Sequence, residues 1–217
     1  FSNRRWLLPE DMPENGFPES SPGLGLHVKG LFDKVVDIEK CWLQGEPSNA
    51  IRLAVKQFAL ANGYTFFNLK AQHGLLRNLM IRTTSIGELL VLVSFFENDA
   101  EKIEALLNHI YQQFPHITSL QYVVNPKRND TIYDLDLQVY KGRDHIIEQL
   151  GNYRFKIGAK SFFQTNSKQA KALYDITKQF AGLKPTDVVY DLYTGVGSIA
   201  LYVSDACKSV TGIEQIE

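Results

Sequence analysis

Glycines and carboxylates near the carboxyl end of the chain occur at a spacing that could hold a ligand. Residues 191–197 read DLYTGVG after an apolar run at 188–190, and a second apolar run at 210–213 ends on Glu214. This pattern predicts a strand, a tight turn, a helix and a second strand. Glycines let the backbone approach a ligand, and a helix start offers free N–H groups. Because Glu214 at the second strand's tip could accept hydrogen bonds from a ribose, the sequence predicts the opening of a nucleoside-cofactor site.

The glycine-rich turn fits two classes of cofactor. From Gly195 the chain matches G-x-G-x-x-A, and Glu214 lies near the ~20-residue spacing of the dinucleotide fingerprint, so an NAD-dependent oxidoreductase is one interpretation. Asp191, four residues before Gly195, favours the other, since a D-x-x-x-G-x-G turn is typical of S-adenosylmethionine enzymes. A carboxylate there would serve a pyrophosphate poorly, whereas a positive amino group and sulfonium would tolerate it.

Composition restricts the class of protein only broadly. Among 217 residues, 44% are hydrophobic and 22% charged, which is ordinary for a globular protein. No apolar run approaches the ~20 residues of a membrane span, so no membrane partner is expected. The net charge of −1 neither indicates nor excludes nucleic-acid binding, because local patches do the binding. Two cysteines, Cys41 and Cys207, exclude a disulfide framework and favour the cytoplasm.

The first part of the chain, residues 1–157, predicts a central α+β domain with an antiparallel sheet. The predicted elements, in order, are a strand at 4–8, a loop at 9–25, a strand at 35–38, a helix at 47–61, a hairpin at 75–83 and 88–96, a helix at 98–114, and strands at 117–124 and 133–140. Asn98 and Glu101 form a capping-box pattern in the second helix. The order strand, strand, helix, strand, strand favours the antiparallel arrangement.

The second part, residues 158–217, predicts the start of an α/β Rossmann-like domain. A helix is expected at 166–181, with Asn166 and Gln169 as a capping box and Gly182 after its end. The strand, turn, helix and strand that follow are typical of a parallel sheet. A doubly wound domain has about five or more strands and only two follow residue 182, so we expect the domain to be incomplete and the chain to be a fragment.

The segment just before this helix carries a family resemblance. Residues 158–166 read GAKSFFQTN and resemble the F-F-Q-x-N segment of the RNA (uracil-5-)-methyltransferase family, class I enzymes that use S-adenosylmethionine. Weaker likenesses occur in the same order as in the family, at 25–27, 37–41, 76–82, 87–88 and 212–214. The resemblance covers nearly the whole chain but lacks the family's N-terminal and C-terminal parts.

The resemblance implies a reaction and its partners. A cysteine thiolate attacks carbon 6 of a uracil in ribosomal or transfer RNA, and carbon 5 then takes the methyl group of S-adenosylmethionine, which is covalent catalysis. The target base would be flipped out or already unpaired. The family's catalytic cysteine and general base lie beyond this chain, so we expect the fragment itself to be inactive. An iron–sulfur cluster in the N-terminal part and the oligomeric state stay open.

The resemblance also assigns residues of this chain. Gln164 matches the family's cofactor-binding glutamine, Tyr193 a position in the cofactor's wall, and Glu214 the ribose-binding acid. The backbone at Gly195 and Gly197 would line the methionine end. The five histidines show no paired metal-ligand spacing, so no metal site is expected, and no catalytic residue is assigned.

A third interpretation is a non-catalytic RNA-binding module in which the turn no longer binds a cofactor. Two basic stretches, 3–6 (NRRW) and 126–129 (PKRN), could contact phosphate or form solvated turns.

Phe162 and Phe163 would alternate in direction if extended, with one in the core and the other facing the site.

Overall fold

A computed structural model describes residues 1–14, 16, 18 and 20–215. The predicted loop at 9–25 and the predicted domain at 158–217 fall partly outside the described residues, at Asn15, Phe17, Glu19, Ile216 and Glu217. The chain divides into two compact units. The first contains residues 1–82 and 89–143, and the second contains residues 83–88 and 144–217.

The first unit contains a four-stranded sheet, a two-stranded ribbon and two long helices. Its elements are β1 (Leu26–Val28), β2 (Leu31–Val36), α1 (Ser48–Ala61), β3 (Leu76–Thr83, whose last residue belongs to the second unit), β4 (Leu89–Phe95), α2 (Ala100–Gln113), β5 (Ser119–Val124) and β6 (Gln138–Gly142). A 3-10 turn occupies Pro9–Asp11. β1 and β2 form a two-stranded antiparallel ribbon, and the other four strands form one sheet in the order β3-β4-β5-β6.

The four-stranded sheet is mixed, which corrects the predicted antiparallel arrangement. β4 and β5 run parallel, in register from Leu90 opposite Ser119 to Phe95 opposite Val124, while β5 and β6 are antiparallel. The reason is α2, which carries the chain back along the sheet between β4 and β5, as a crossover connection between parallel strands must.

The core of the first unit lies between this sheet and the two helices. Every residue of β4 is buried, as a central strand covered on both faces requires. Helix α1 packs against α2. The buried stripe of α1 includes Ile51 and Val55, and that of α2 includes Leu106 and Ile110. Both stripes follow the 3.6-residue period of a helix, and both helices were predicted, at 47–61 and 98–114.

Three local predictions in the first unit are wrong. The range 4–8 contains two isolated bridges, Arg4 with Ser21 and Arg5 with Val35, rather than a strand. The strand predicted at 133–140 lies instead at β6. The cap of α2 is Asp99, whose side chain accepts a hydrogen bond from the Lys102 amide at 3.1 Å. A capping carboxylate adjacent to Asn98 was available, and the helix begins one residue later.

The second unit combines a hairpin with the start of a parallel sheet. Its elements are β7 (His145–Leu150), β8 (Tyr153–Gly158), α3 (Ser167–Ala181), β9 (Val188–Leu192), α4 (Ser198–Val203) and β10 (Ser209–Ile213). β7 and β8 pair antiparallel, and β9 and β10 pair parallel. Helix α3 is confirmed: Asn166 accepts from the Gln169 amide at 3.1 Å, and Gly182 ends it in a left-handed conformation. In the described part of the chain, no helix is long and apolar enough to cross a membrane.

Candidate functional site

The candidate site lies where β9 and β10 end. The two strands are parallel with Asp191 opposite Gly212, so the turn after β9 and Glu214 after β10 meet at one edge. Two hydrogen bonds join them: the Thr194 amide donates to the Ile213 carbonyl at 3.1 Å, and the Gly195 amide donates to the Glu214 carboxylate at 2.7 Å. Carboxyl ends of parallel strands are where α/β sheets bind ligands.

The turn itself has an unusual backbone. Tyr193, Gly195 and Gly197 have φ values of 61°, 55° and 76°, all in the left-handed region. Glycine takes this conformation freely, but an aromatic residue there is strained. Tyr193 is also 83% exposed. Strained residues concentrate at ligand sites, so the conformation of Tyr193 makes this turn a candidate ligand site.

Asp191 holds the turn against the start of α4. Its carboxylate accepts from the Thr194 hydroxyl at 2.7 Å and from the Ala200 amide, in the first turn of α4, at 3.1 Å. The amino end of a helix carries partial positive charge and unpaired N–H groups, and Asp191 satisfies the one at Ala200. An anionic ligand would therefore meet a carboxylate already at the amino end of α4.

The cradle around the two glycines is open. A Cβ atom built on Gly195 or on Gly197 would have no atom within 4 Å, whereas one on Gly212 would lie 2.9 Å from the Thr194 side chain. The turn therefore packs closely on β10 and leaves its other side accessible. The open backbone, the exposed carboxylate of Glu214 and the exposed Tyr193 ring fit a nucleoside bearing a positively charged amino acid.

Gln164 lies in the irregular segment between β8 and α3 and is exposed. Tyr193, Gly195 and Glu214 share one edge of the sheet. No described hydrogen bond joins the Gln164 side chain to the turn, so only the family resemblance assigns Gln164 to the same site. The two neighbouring phenylalanines point in different directions. The Phe163 ring packs on buried Phe155, with ring centroids 5.5 Å apart, and Phe162 faces outward.

Two helices of the second unit are tied together behind the turn. The hydroxyls of Tyr174 on α3 and Ser198 at the start of α4 lie 3.0 Å apart. Asp175 of α3 bonds Lys171 at 2.8 Å and also the hydroxyl of Tyr202 on α4. The hydrogen bond from Lys171, and then the one from Tyr202, lowers the pKa of the Asp175 carboxyl. The carboxyl is therefore ionised at neutral pH. These contacts fix α3, which follows Gln164, to the helix that follows the turn.

Sequence reasoning missed Glu148, a buried carboxylate on β7. It accepts from the Ser167 hydroxyl at 2.6 Å, from the Ser85 amide at 3.0 Å and from the Gln149 amide at 2.8 Å. Ser167 is the first residue of α3, so Glu148 fixes the end of the segment that carries Gln164. Its signal was an acid at an inward position between Ile146 and Leu150.

Other kinds of site find no support in the described part of the chain. No group of three or more histidine, cysteine, aspartate or glutamate side chains there could hold a metal ion. Both cysteines are free. The Cys207 thiol lies near the carbonyls of Val203 and Ser204, before the amino end of β10, while Glu214 follows its carboxyl end. Cys207 and the turn are therefore at opposite ends of the strand, a length of about 17 Å for five residues.

Comparisons with known proteins agree on the class of protein. No family model matches the chain. An uncharacterized RNA methyltransferase of Bacteroides thetaiotaomicron is 49% identical over 219 residues, and one of Porphyromonas gingivalis is 51% identical over 221; both alignments cover 100% of this chain and 48% of the relative. The chain thus spans about half the length of the curated relatives it matches.

A solved structure gives an independent likeness. The Pyrococcus abyssi tRNA (uracil-54, C5)-methyltransferase in complex with S-adenosyl-L-homocysteine matches with a TM-score of 0.67 and 26% identity, over 83% of this chain and 43% of that chain. This agreement confirms a mixed α/β fold of methyltransferase type. The sequence relatives and this structure together show that the chain is homologous to RNA methyltransferases and corresponds to part of such a protein.

Proposed function

We propose that the protein containing this chain methylates carbon 5 of a uridine in ribosomal or transfer RNA, using S-adenosylmethionine. The observation that carries the proposal is the strand-tip turn, with Tyr193, Gly195 and Glu214 at one edge, in a chain similar to a tRNA (uracil-54, C5)-methyltransferase. Within this chain, residues 158–217 would serve the cofactor and residues 1–157 would form the central domain. An RNA substrate and two free cysteines favour the cytoplasm.

Each residue of the turn has a part in holding the cofactor. Bound S-adenosylmethionine supplies an electrophilic methyl group. Glu214 has its carboxylate exposed, and each oxygen has a second lone pair, so it can accept from ribose hydroxyls while it holds the Gly195 amide. The Tyr193 ring would cover the nucleoside, and Gln164 would add a hydrogen bond from the segment before α3. The open backbone at Gly195 and Gly197 would border the methionine end.

Asp191 supports this cofactor over a dinucleotide. In the dinucleotide fold the pyrophosphate sits on the amino end of the helix after the glycine-rich turn. Here the Asp191 carboxylate already accepts from the Ala200 amide at that end. A pyrophosphate would meet a negative charge at close range, whereas the positive amino group of the methionine would meet an opposite one. We therefore set aside the NAD-dependent oxidoreductase.

The nucleophile is proposed to lie in the part of the protein outside this chain. The family resemblance implies a cysteine that attacks carbon 6 of the uracil. Cys207 is separated from the turn by the length of β10. Cys41 lies in a loop, and its backbone amide donates a hydrogen bond to the Asn49 side chain at 2.7 Å. Both therefore serve the structure in this proposal.

The test uses the full-length protein, S-adenosylmethionine and RNA that contains 5-fluorouridine. Fluorine at carbon 5 cannot leave as a proton, so a covalent enzyme–RNA adduct should accumulate and migrate slowly on a denaturing gel. Cys41→Ser and Cys207→Ser should leave the adduct unchanged. Absence of the adduct, together with absence of methyl transfer to ordinary RNA, would refute the proposal.

A further inference from the structure

The outward face of the β1–β2 ribbon is apolar and exposed. Along β2, Asp33 and Val35 are buried, and the alternate residues Phe32 and Val36 face outward, with Phe32 62% exposed. Leu26 of β1 pairs with Val36 and is exposed as well. Large apolar side chains clustered on one face mark an interaction surface more often than single ones do.

The segment before the ribbon adds a second aromatic ring to this face. The Trp6 amide donates to the Val35 carbonyl at 2.7 Å, and the Val35 amide donates to the Arg4 carbonyl at 3.2 Å, so residues 4–6 run along the edge of β2. The Trp6 side chain is 43% exposed. The basic stretch at 3–6 noted in the sequence therefore adds a third segment to the same surface.

A cation accompanies each of the two rings. The ammonium of Lys34, on β2, lies 5.6 Å from the Trp6 ring centre, and that of Lys70 lies 5.7 Å from the Phe32 ring centre. These distances are within cation–π range. We call Trp6, Leu26, Phe32, Lys34 and Val36 the ribbon face, with Lys70 at its border.

The carboxylates beneath the ribbon are paired with cations. Asp33 contacts Lys70 at 2.7 Å and Arg4 at 3.3 Å, and the bond from Lys70 is the main cause of the lowered pKa of its carboxyl. Asp37 contacts Arg5 at 3.8 Å and Lys56 as well. The five cations Arg4, Arg5, Lys34, Lys56 and Lys70 around the ribbon thus outnumber the two carboxylates Asp33 and Asp37, a local excess of positive charge in a chain of net charge −1.

We propose that the ribbon face binds an unpaired stretch of the RNA substrate, with bases stacked on Trp6 and Phe32 and phosphates beside Lys34 and Lys70. This inference rests on the proposed function, because it takes RNA as the substrate. Aromatic rings interleaved with cations are how proteins hold single strands, since every base has a π face and every linkage a negative charge. An apolar protein partner fits less well, because it would have to desolvate two ammonium groups.

The test compares substitutions that keep the apolar bulk with substitutions that keep the ring. In the full-length protein, Phe32→Leu and Trp6→Leu remove the π face, whereas Phe32→Tyr and Trp6→Phe retain it. The probe is a fluorescein-labelled, unstructured 12-nucleotide oligouridine, and its affinity is measured by fluorescence anisotropy. Each leucine variant should bind about 5-fold to 100-fold more weakly, and each ring-retaining variant within about 3-fold of the wild type.

Salt dependence and a control variant complete the design. Lys34→Gln should reduce the slope of log affinity against log salt by about 0.7, the value for one phosphate of a single strand. Leu60→Ala, an exposed apolar residue on α1, should bind the probe like the wild type. Binding of S-adenosylmethionine should be unchanged in all variants, which verifies that they are folded.

Two outcomes would overturn the inference while the wild type still binds and methylates RNA, so that the proposed function stands. One is equal affinity of the leucine variants and the wild type. The other is an equal loss in the leucine and ring-retaining variants, which would indicate packing against another part of the protein. A wild type that neither binds the probe nor methylates RNA would remove both proposals.

Discussion

Strands β4 and β9 are both rich in apolar residues, but they are packed very differently. All seven residues of β4 are buried, whereas Val188, Tyr190 and Leu192 of β9 are exposed. β4 lies inside a four-stranded sheet covered by helices, while β9 has β10 as its described partner. The first unit therefore concentrates burial and stability, and the second concentrates the residues assigned to the cofactor. Ligand-binding segments are commonly drawn from the less stable parts of a protein.

The largest expected effect is a difference in stability between the same substitution made in β4 and in β9. Leu90 of β4 is 0% exposed and Leu192 of β9 is 62% exposed. We expect Leu90→Ala to lower the free energy of unfolding of the 217-residue chain by about 2–5 kcal/mol, because it leaves a cavity. Leu192→Ala should change it by less than about 0.5 kcal/mol. Urea unfolding followed by circular dichroism measures both, and equal losses would contradict the comparison.

A second prediction concerns the buried polar contact of the second unit. Glu148→Ala removes the acceptor for Ser85, Gln149 and Ser167, and should destabilise the chain by about 1–3 kcal/mol, since hydrogen bonds to a charged group are lost. Glu148→Gln keeps one acceptor oxygen and should cost less. Hydrogen exchange should show the loss of protection at the start of α3. Unchanged exchange there would mean that Glu148 does not fix this helix.

The third prediction addresses the cofactor in the full-length protein. Glu214→Ala and Gln164→Ala should each weaken binding of S-adenosylmethionine by about 1–3 kcal/mol, the usual cost of leaving polar partners unmade. Glu101→Ala, an exposed acid on α2, serves as the matched control. Isothermal titration calorimetry measures the affinity. Wild-type affinity in both site variants would remove these two assignments.

The smallest expected effect separates stability from binding at Tyr193. Asparagine tolerates the left-handed backbone better than an aromatic residue, so Tyr193→Asn should stabilise the second unit by roughly 0.5–1 kcal/mol. The same change removes the ring and should weaken cofactor binding. Thermal unfolding and calorimetry on one variant give the two values. A loss of stability would show that the ring packs in the free protein.

Local signals predicted much of this fold. The helices α1, α2 and α3 were all predicted, α3 from Asn166 and Gly182, because caps and periodicity act within a few residues. The hairpin of β7 and β8 was missed although Tyr153, Phe155 and Ile157 alternate after a Gly-Asn turn. The parallel pairing of β4 with β5 was missed because strand order alone does not state direction.

The candidate site also contains residues that local sequence patterns predict and others that only tertiary contacts reveal. Glycines and acids within one turn were visible in the sequence, and the structure brings Tyr193, Gly195 and Glu214 to one edge. The contact of Glu148 with Ser85 spans 63 residues, and no local pattern could have indicated it. Likewise the ribbon face depends on residues 4–6 lying beside β2, which is a tertiary contact rather than a strand signal.

The close approach of Gly212 to Thr194 has an evolutionary consequence. Any side chain at position 212 would meet the Thr194 methyl and hydroxyl groups at 2.9 Å. A side chain at 212 therefore requires the Thr194 side chain to move or position 194 to become smaller. The two positions are epistatic, so homologous sequences with a side chain at 212 should have a small residue at 194.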